Sequence, residues 1–319
     1  MIGFATDSVA PEHRFDHWRE MRAKHIFGVT IELPAERRRA FQGRFRARSV
    51  GNATISSLRA SAYTVRRTEG DIARMAGNSL CIGQQTAGPG RLETPHCDAD
   101  YVAAGDMTVS FSDMPFMATP SGDTAFHCRM AKIPISSELL LGARVDTLHA
   151  AKPNPACRAL WPMQMLFNAI SAGDIAGDEN GAVTDMARLA LVTRGQLSIR
   201  LPEVRQAIRR GLLYGAIRRM EEGKQEMGLT ADSVAAELGI SRRQLFLILE
   251  EAGMSFAKKL SDMRIRAARK LLLEKPELPV TRIAFECGFE SLATFYRIFN
   301  ATFGMAPGEL RVSEQAPFR

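Results

Sequence analysis

Thr294 and Arg297 lie three residues apart in SLATFYRIF (291–299), and Arg242 and Arg243 stand side by side in SRRQLFLIL (241–249). A guanidinium can hold a guanine edge or a phosphate through two parallel hydrogen bonds, and Thr or Ala can meet a thymine methyl. These residue types suit contact with a nucleic acid, provided the surrounding segments turn them outward.

The segments that must do so form a repeat. ADSVAAELGISRRQLFLILEEAGMSF (231–256) and VTRIAFECGFESLATFYRIFNATFGMAP (280–307) share one plan. A short helix carries apolar residues at i and i+4: Val234 and Leu238, then Val280 and Ala284. A glycine follows, Gly239 or Gly288, then an apolar residue, Ile240 or Phe289. Ser241 or Ser291 comes next and is suited to cap a second helix by accepting from its free N–H groups. The second helices match at equal distances from that serine: Leu245 with Phe295, Ile248 with Ile298, Leu249 with Phe299. Both end in Gly-Met, a helix-stop signal. A glycine between short helices permits the sharp turn of a helix-turn-helix, whose second helix enters the major groove of DNA. Two copies with the same cap, core spacing and stop are far more specific than one. Between them, Phe256, Leu260, Met263, Ala267 and Leu271 predict one apolar stripe on a connecting helix of about 30 Å. That length suits two recognition helices in successive major grooves, one duplex turn of about 34 Å apart.

The rest of the chain bounds the class. Its 319 residues favour two domains. No apolar run approaches the roughly 20 residues that span a bilayer. The N-terminus lacks a basic stretch followed by an apolar one, so no secretory signal is expected. Cysteines 81, 97, 128, 157 and 287 are scattered, without a CxxC pair. That pattern suits the reducing cytoplasm. The net charge of +7 favours an anionic partner but does not locate it. Residues 201–319 hold 19 Lys and Arg against 15 Asp and Glu; the remainder holds 23 against 20.

From about 40 to 135, short apolar or alternating runs between Gly and Pro clusters predict strands of a sandwich or barrel. FDHWREMRAKHIF (15–27) predicts a helix before them, and segments 138–151, 156–172 and 180–196 predict helices after them. Pro202 suits the first turn of a further helix, and from 203 onward the pattern is helical. The expected division is therefore 1–200 and 203–319, with helix-turn-helix motifs near 231–252 and 280–303. In the strand region, Ile55, Leu58, Tyr63, Leu80, Ile82, Val109, Phe111 and Phe126 are the expected lining of a small apolar pocket.

Residues 203–312 resemble the DNA-binding domain of the AraC/XylS family of transcription regulators. The match in the second motif includes Ile283-Ala284, Gly288-Phe289, Ser291, Phe295, Arg297, Phe299, Phe303-Gly304 and Pro307, and RIRAARKLL (264–272) resembles the connecting helix. Residues 15–140 resemble the family's cupin-like ligand-binding β-barrel through Val65-Arg66-Arg67-Thr68, Gly83, Gly105-Asp106, Asp113-Met114-Pro115 and Ile133-Pro134. The resemblance implies an α+β protein: a cupin-like barrel with flanking helices, then an all-α domain with two helix-turn-helix motifs. It implies a cytoplasmic, ligand-responsive regulator that binds promoter DNA, is an activator recruiting RNA polymerase, senses a small organic effector and forms a homodimer through helices between 138 and 200. No cofactor and no membrane association are expected.

By the family pattern, Arg242, Arg243, Phe246 and Leu247 face DNA in the first motif, and Ser291, Leu292, Ala293, Thr294 and Arg297 in the second. Phe246-Leu247 depart from that pattern, because many relatives carry a polar residue and an arginine there. Three readings stay open: they touch thymine methyls, Arg242 and Arg243 carry the readout instead, or the helix packs inward at that point. The basic run Arg264, Arg266, Arg269 and Lys270 is expected to be mainly a solvated helix face, with one or two phosphate contacts. Arg66 and Arg67 are candidates to meet a carboxylate on the effector, beside the plainer reading of a polar strand face. The stripe at Leu160, Met163, Leu166, Phe167 and Ile170 suits a core or a dimer seam. The alternative class is a metal-dependent cupin-type enzyme with a helical appendage. Metal-binding cupins pair His-x-His with an acidic ligand and a further His; His96-Cys97 and His127-Cys128 lack that spacing, so no metal and no catalytic residues are expected. A methyl-accepting DNA-repair protein would need an activated, clustered cysteine, and Cys81 and Cys287 suit a core instead.

Overall fold

The structure is a computed structural model and describes residues 2–21, 28–95 and 97–315. Two compact units divide the chain, residues 1–211 and 212–319. The division lies at Gly211–Leu212, inside a helix, whereas the break in sequence pattern lies at that helix's first residue, Pro202.

Unit one is built on two antiparallel sheets. Its strands are β1 (Ile2–Ala5), β2 (Thr30–Glu32), β3 (Gly43–Val50), β4 (Ala53–Ala60), β5 (Thr64–Arg67), β6 (Ser79–Ala87), β7 (Gly90–Thr94), β8 (Cys97–Val102), β9 (Met107–Phe111), β10 (Phe116–Pro120) and β11 (Phe126–Pro134). One sheet runs β1-β3-β4-β11-β6-β9 and the other β2-β5-β10-β7-β8. Short helices punctuate them: α1 (Arg14–Trp18), α2 (Ala35–Arg38), α3 (Glu69–Arg74) and α4 (Ser137–Leu140). The expected helix over 15–27 is described only through residue 21; the remainder lies outside the described residues. At one end Phe15, Trp18, Phe41, Phe45 and Tyr63 form an aromatic core, with Trp18 and Phe41 fully buried.

The expected helix over 138–151 is limited to α4. Leu141 and Gly142 adopt positive φ (48° and 85°), a left-handed pair that ends the helix at once. The chain then returns to the sheet, where Ala151 bridges Val109. Helices α5 (Leu160–Ala172) and α6 (Glu179–Thr193) do form, and both contact the six-stranded sheet. Met163, Leu166, Phe167 and Ile170 are fully buried within the single chain. Those four residues of the stripe are core, and the fifth, Leu160, is half-buried.

The two faces of the six-stranded sheet have different partners. Pairing places Ile133–Leu80–Phe111 and Ala131–Ile82–Val109 in transverse rows. Leu80, Ile82, Val109, Ala131 and Ile133 are completely buried, on the sheet that α5 and α6 contact through β3, β4 and β6. The alternate rows, Lys132–Cys81–Ser110 and Met130–Gly83–Thr108, face the second sheet and line a cavity of about 220 Å3. Of the eight residues expected to line an apolar pocket, only Tyr63 and Phe126 do so. Both sheet faces are covered, so the more apolar parity went to the larger apolar partner, the helices, and the smaller, more polar parity was left for the cavity.

Helix α7 (Pro202–Glu222) leads to unit two, which is wholly helical: α8 (Ala231–Glu237), α9 (Arg242–Glu251), α10 (Phe256–Glu274), α11 (Val280–Glu286), α12 (Leu292–Phe303) and α13 (Pro307–Gln315). It contains two cores. The first gathers Ala216, Met220, Val234, Leu245, Leu249, Phe256 and Leu260. The second gathers Ile265, Ala268, Leu272, Ile283, Phe289, Phe295 and Phe299. Helix α10 serves both, through two stripes rather than one. Phe256 and Leu260 enter the first core, while Ile265, Ala268 and Leu272 enter the second, with Ala267 and Leu271 only partly buried. From Leu260 to Ile265 the helix turns about 140°, at about 100° per residue. Each motif needs its own apolar backing, so the connector must present a different side to each. No helix among the described residues is long and apolar enough to cross a membrane.

Candidate nucleic-acid interface

The two helix pairs α8/α9 and α11/α12 repeat each other at the level of single hydrogen bonds. In the first turn Gly239 N–H donates to Ala236 O at 3.0 Å and Ile240 N–H to Ala235 O at 3.0 Å. In the second, Gly288 N–H donates to Phe285 O at 2.9 Å and Phe289 N–H to Ala284 O at 3.1 Å. Gly239 and Gly288 both have positive φ, 66° and 82°, which glycine alone adopts without strain. Gly288 is further constrained, since a Cβ there would sit 2.4 Å from the carbonyl oxygen of Lys224.

Each second helix starts on its serine. Ser241 Oγ accepts from Gln244 N–H at 3.2 Å, and Gln244 Oε1 accepts from Ser241 N–H at 3.0 Å, a reciprocal cap. Ser291 Oγ accepts from Thr294 N–H at 3.4 Å. Ser291 therefore sets the start of α12 while remaining exposed. Gly304 ends α12 in the left-handed conformation.

With the ends set, helical period sorts the side chains. On α9, Leu245, Ile248 and Leu249 are buried, and Arg242, Arg243, Phe246 and Leu247 are exposed. Phe246 is 40% and Leu247 48% exposed, and neither belongs to the first core of unit two. Arg242 is already engaged: its Nη1 lies 3.0 Å from Asp232 Oδ2, and its guanidinium stacks 5.3 Å from the Phe246 ring centre. Arg243 has no such partner. On α12, Phe295 and Phe299 are buried, Leu292 is half-buried against the second core, and Ala293, Thr294 and Arg297 are exposed. Among the described residues Arg297 also has no ion-pair partner. Tyr296, 39% exposed beside Arg297, is a further outward group that the family pattern does not single out.

The basic run on α10 is mostly committed. Arg264 donates to the carbonyl oxygens of Lys224 (2.8 Å) and Glu226 (2.6 Å), tying α10 to the segment after α7. Arg269 stacks over Phe303, and Lys270 lies 3.7 Å from Glu274. Arg266 is exposed.

In unit one, Arg66 and Arg67 point to opposite sides of β5. Arg66 is about half exposed and lies 3.5 Å from Glu32. Arg67 is buried and borders the cavity, but its whole fork is occupied. It donates to the carbonyl oxygens of Ser112 (3.0 Å), Met75 (2.7 Å) and Gly28, and to Asp113 Oδ1 at 3.1 Å. Burial alone would raise the Asp113 carboxyl, but the Gly77 and Asn78 N–H groups, the Ser112 hydroxyl and Arg67 outweigh it. The carboxyl is held below its usual range.

His96, the Cys97 side chain and thus the His96-Cys97 pair lie outside the described residues. His127 pairs with Ser57 Oγ at 2.9 Å; burial, then Arg129 and Arg59, push its pKa down. Among the described residues no group of three His, Cys, Asp or Glu could hold a metal ion. Burial pushes the thiols of Cys81 and Cys287 each up to about 11, so neither is a poised nucleophile at neutral pH.

Comparison with known proteins agrees with this geometry. Residues 234–313 match the family described as helix-turn-helix domain. The transcriptional activator NphR of Rhodococcus sp. is 26% identical over 283 residues, which cover 86% of this chain and 82% of NphR. The probable transcription factor PqrA of Proteus vulgaris is 32% identical over 91 residues, 28% of this chain and 74% of PqrA. The solved structure of the AraC-like transcriptional activator CuxR aligns over 90% of this chain and all of its own, at 17% identity and a TM-score of 0.48.

Proposed function

This chain belongs to the AraC family of DNA-binding transcriptional regulators, and from that premise we propose that α9 and α12 enter successive major grooves of promoter DNA in response to a small molecule held by unit one. The observation that carries the reading is the duplicated, capped helix pair, each copy with a buried face of matched spacing and an outward face of Arg, Thr, Ala or bare apolar side chains. The 19 residues of α10 span about 28 Å, close to the roughly 34 Å of one duplex turn. In unit one the two facing sheets and the cavity between them support a cupin-like sensing domain. The similarity to an activator, NphR, supports activation through recruitment of RNA polymerase.

Purified full-length chain used to capture genomic fragments is the direct test. Enrichment of sites with two half-sites about 10 base pairs apart supports the reading, and uniform recovery of all fragments refutes it. On a captured site, Arg297→Ala is expected to weaken specific binding by about 1–3 kcal/mol, the value of one good base contact, while the fold survives because the side chain is exposed. Unchanged affinity at fixed salt would remove Arg297 from the interface.

The first motif reads differently. With Arg242 held by Asp232 and stacked on Phe246, the outward apolar pair Phe246-Leu247 meets thymine methyls, and Arg243 takes guanine or phosphate. Replacing a contacted thymine by deoxyuridine deletes only the methyl. That change is expected to weaken binding by about 0.8 kcal/mol, roughly fourfold per site. The double substitution Phe246→Ala, Leu247→Ala should be indifferent to it. Equal sensitivity in both proteins would contradict the assignment.

A further inference from the structure

The cavity between the sheets of unit one has an unbalanced lining. Arg67, Arg91, Arg129 and Lys132 contribute to it, and among the described residues no Asp or Glu does. Two of the four cations are committed elsewhere. Arg67 is bound to Asp113 and three carbonyl oxygens. Arg129 donates to Gln84 and to Asn168 Oδ1 at 2.7 Å, with its guanidinium over the Phe167 ring. Arg91 is exposed at the rim. Lys132 is different: it is half-buried, it stands on the inward row with Cys81 and Ser110, and its ammonium makes no ion pair or hydrogen bond among the described residues. Its neighbour Cys81 does not balance it, because burial pushes that thiol up to about 11 and keeps it neutral near pH 7. A half-buried ammonium without a counter-charge is free to pair with a bound anion through charge-assisted hydrogen bonds.

The remaining walls fix the other end of the ligand. Tyr63 and Phe126 meet edge to face at 5.3 Å, and Phe116 and Val65 complete an apolar side. Gly83, next along the inward face, adds no side chain, and the Thr108 hydroxyl lies against it, 2.8 Å from where a Cβ would stand. The volume of about 220 Å3 is below the roughly 300–1,000 Å3 of sites for drug-sized ligands. A benzene ring occupies an engineered cavity of about 150 Å3, so a ring and one small charged substituent fit.

We infer that this cavity binds a small aromatic carboxylate, with the carboxylate on Lys132 Nζ, the Thr108 and Ser110 hydroxyls close by on β9, and the ring against Tyr63, Phe116 and Phe126. The inference rests on the reading of unit one as the sensing unit and names what it senses. It replaces Arg66 and Arg67 with Lys132 as the anion partner, because Arg66 does not line the cavity and Arg67 is saturated.

Isothermal titration of the full-length chain with benzoate, phenylacetate and cinnamate, and with the neutral amide of each, tests it. At least one acid should bind saturably, and its amide should bind about tenfold more weakly or worse, since only the acid makes a charge-assisted bond. Lys132→Met should abolish that preference, and Lys132→Arg should keep it. Equal affinity for acid and amide, an unchanged preference in Lys132→Met, or no binding of any acid overturns the assignment. If Lys132→Met does not fold, the acid–amide comparison on the wild type decides. DNA affinity measured with the same compounds separates this inference from its premise. A response to the amides alone would leave the sensing role standing and remove the carboxylate. Acid binding that depends on Lys132 but never alters DNA affinity would leave the site standing and remove the sensing role.

Discussion

Phe295→Ala is expected to destabilise unit two by about 3–5 kcal/mol, the usual cost of truncating a core aromatic. Phe295 is fully buried and is the hub of a ring cluster. Its ring centre lies 5.1 Å from Phe289, 5.6 Å from Phe299 and 5.6 Å from Tyr296. Phe289 comes from the turn and Phe299 from the next turn of α12, so one side chain joins the turn to the helix it orients. A domain stable by about 5–15 kcal/mol loses a large share of that margin. DNA binding would fall with the folded fraction, in contrast to Arg297→Ala, which leaves folding intact. Urea or thermal melting of the variant checks this. A melting curve superimposable on wild type would mean that α12 is rotated about its axis from the position described.

Arg67→Ala should cost unit one about 3–5 kcal/mol, the range for breaking a buried ion pair from one side. The loss leaves Asp113 without its cation and strips the carbonyl oxygens of Gly28, Met75 and Ser112 of their donor. Arg67→Lys should recover little, because a single ammonium cannot reproduce a planar fork that spans several acceptors. The pair also sets a direction with pH. The Asp113 carboxyl is held below its ordinary value of about 3.9, so its contribution is complete above about pH 4 and disappears as pH falls through the folded value. The acid limb of wild-type stability should therefore be flatter in Arg67→Ala. Denaturant midpoints measured between pH 3 and 7 test both parts, and a variant matching wild type throughout would show that the network is not stabilising.

Much of unit two was legible from residues alone because its determinants are local. Ser241, Gly239, Leu245 and Leu249 are all within about ten residues of one another, and each specifies a cap, a turn or a face without reference to the rest of the chain. The recurrence of the same set about 50 residues later removed the ambiguity of any single motif. The outward position of Thr294 and Arg297 followed from the burial of Phe295 and Phe299 by helical period. Local pattern was less informative for α10, where Phe256, Leu260, Met263, Ala267 and Leu271 suggest one stripe. Two cores divide that helix between them, and which residues each core takes depends on where α11 and α12 sit.

In unit one the alternation of β6, β9 and β11 identified strands but not which face meets which partner. A strand buried on both sides offers two sets of side chains, and nothing in its own residues says which set the helices will cover. Leu80, Ile82 and Val109 are buried on the row away from the cavity, in the sheet that α5 and α6 contact, and Cys81, Lys132 and Ser110 went to the cavity. The same holds for charge: Arg66, Arg67 and Lys132 are all cations on strands, and only folding brings Asp113 to Arg67, Glu32 to Arg66 and, among the described residues, no partner to Lys132. The order of residues by itself determined the helix-turn-helix repeat, its caps and its outward faces, since those depend on neighbours a turn or two away. Tertiary structure alone decided the cavity, its lining and its unpaired charge, since those depend on groups brought together from positions as far apart in the chain as Val29 and Ala150.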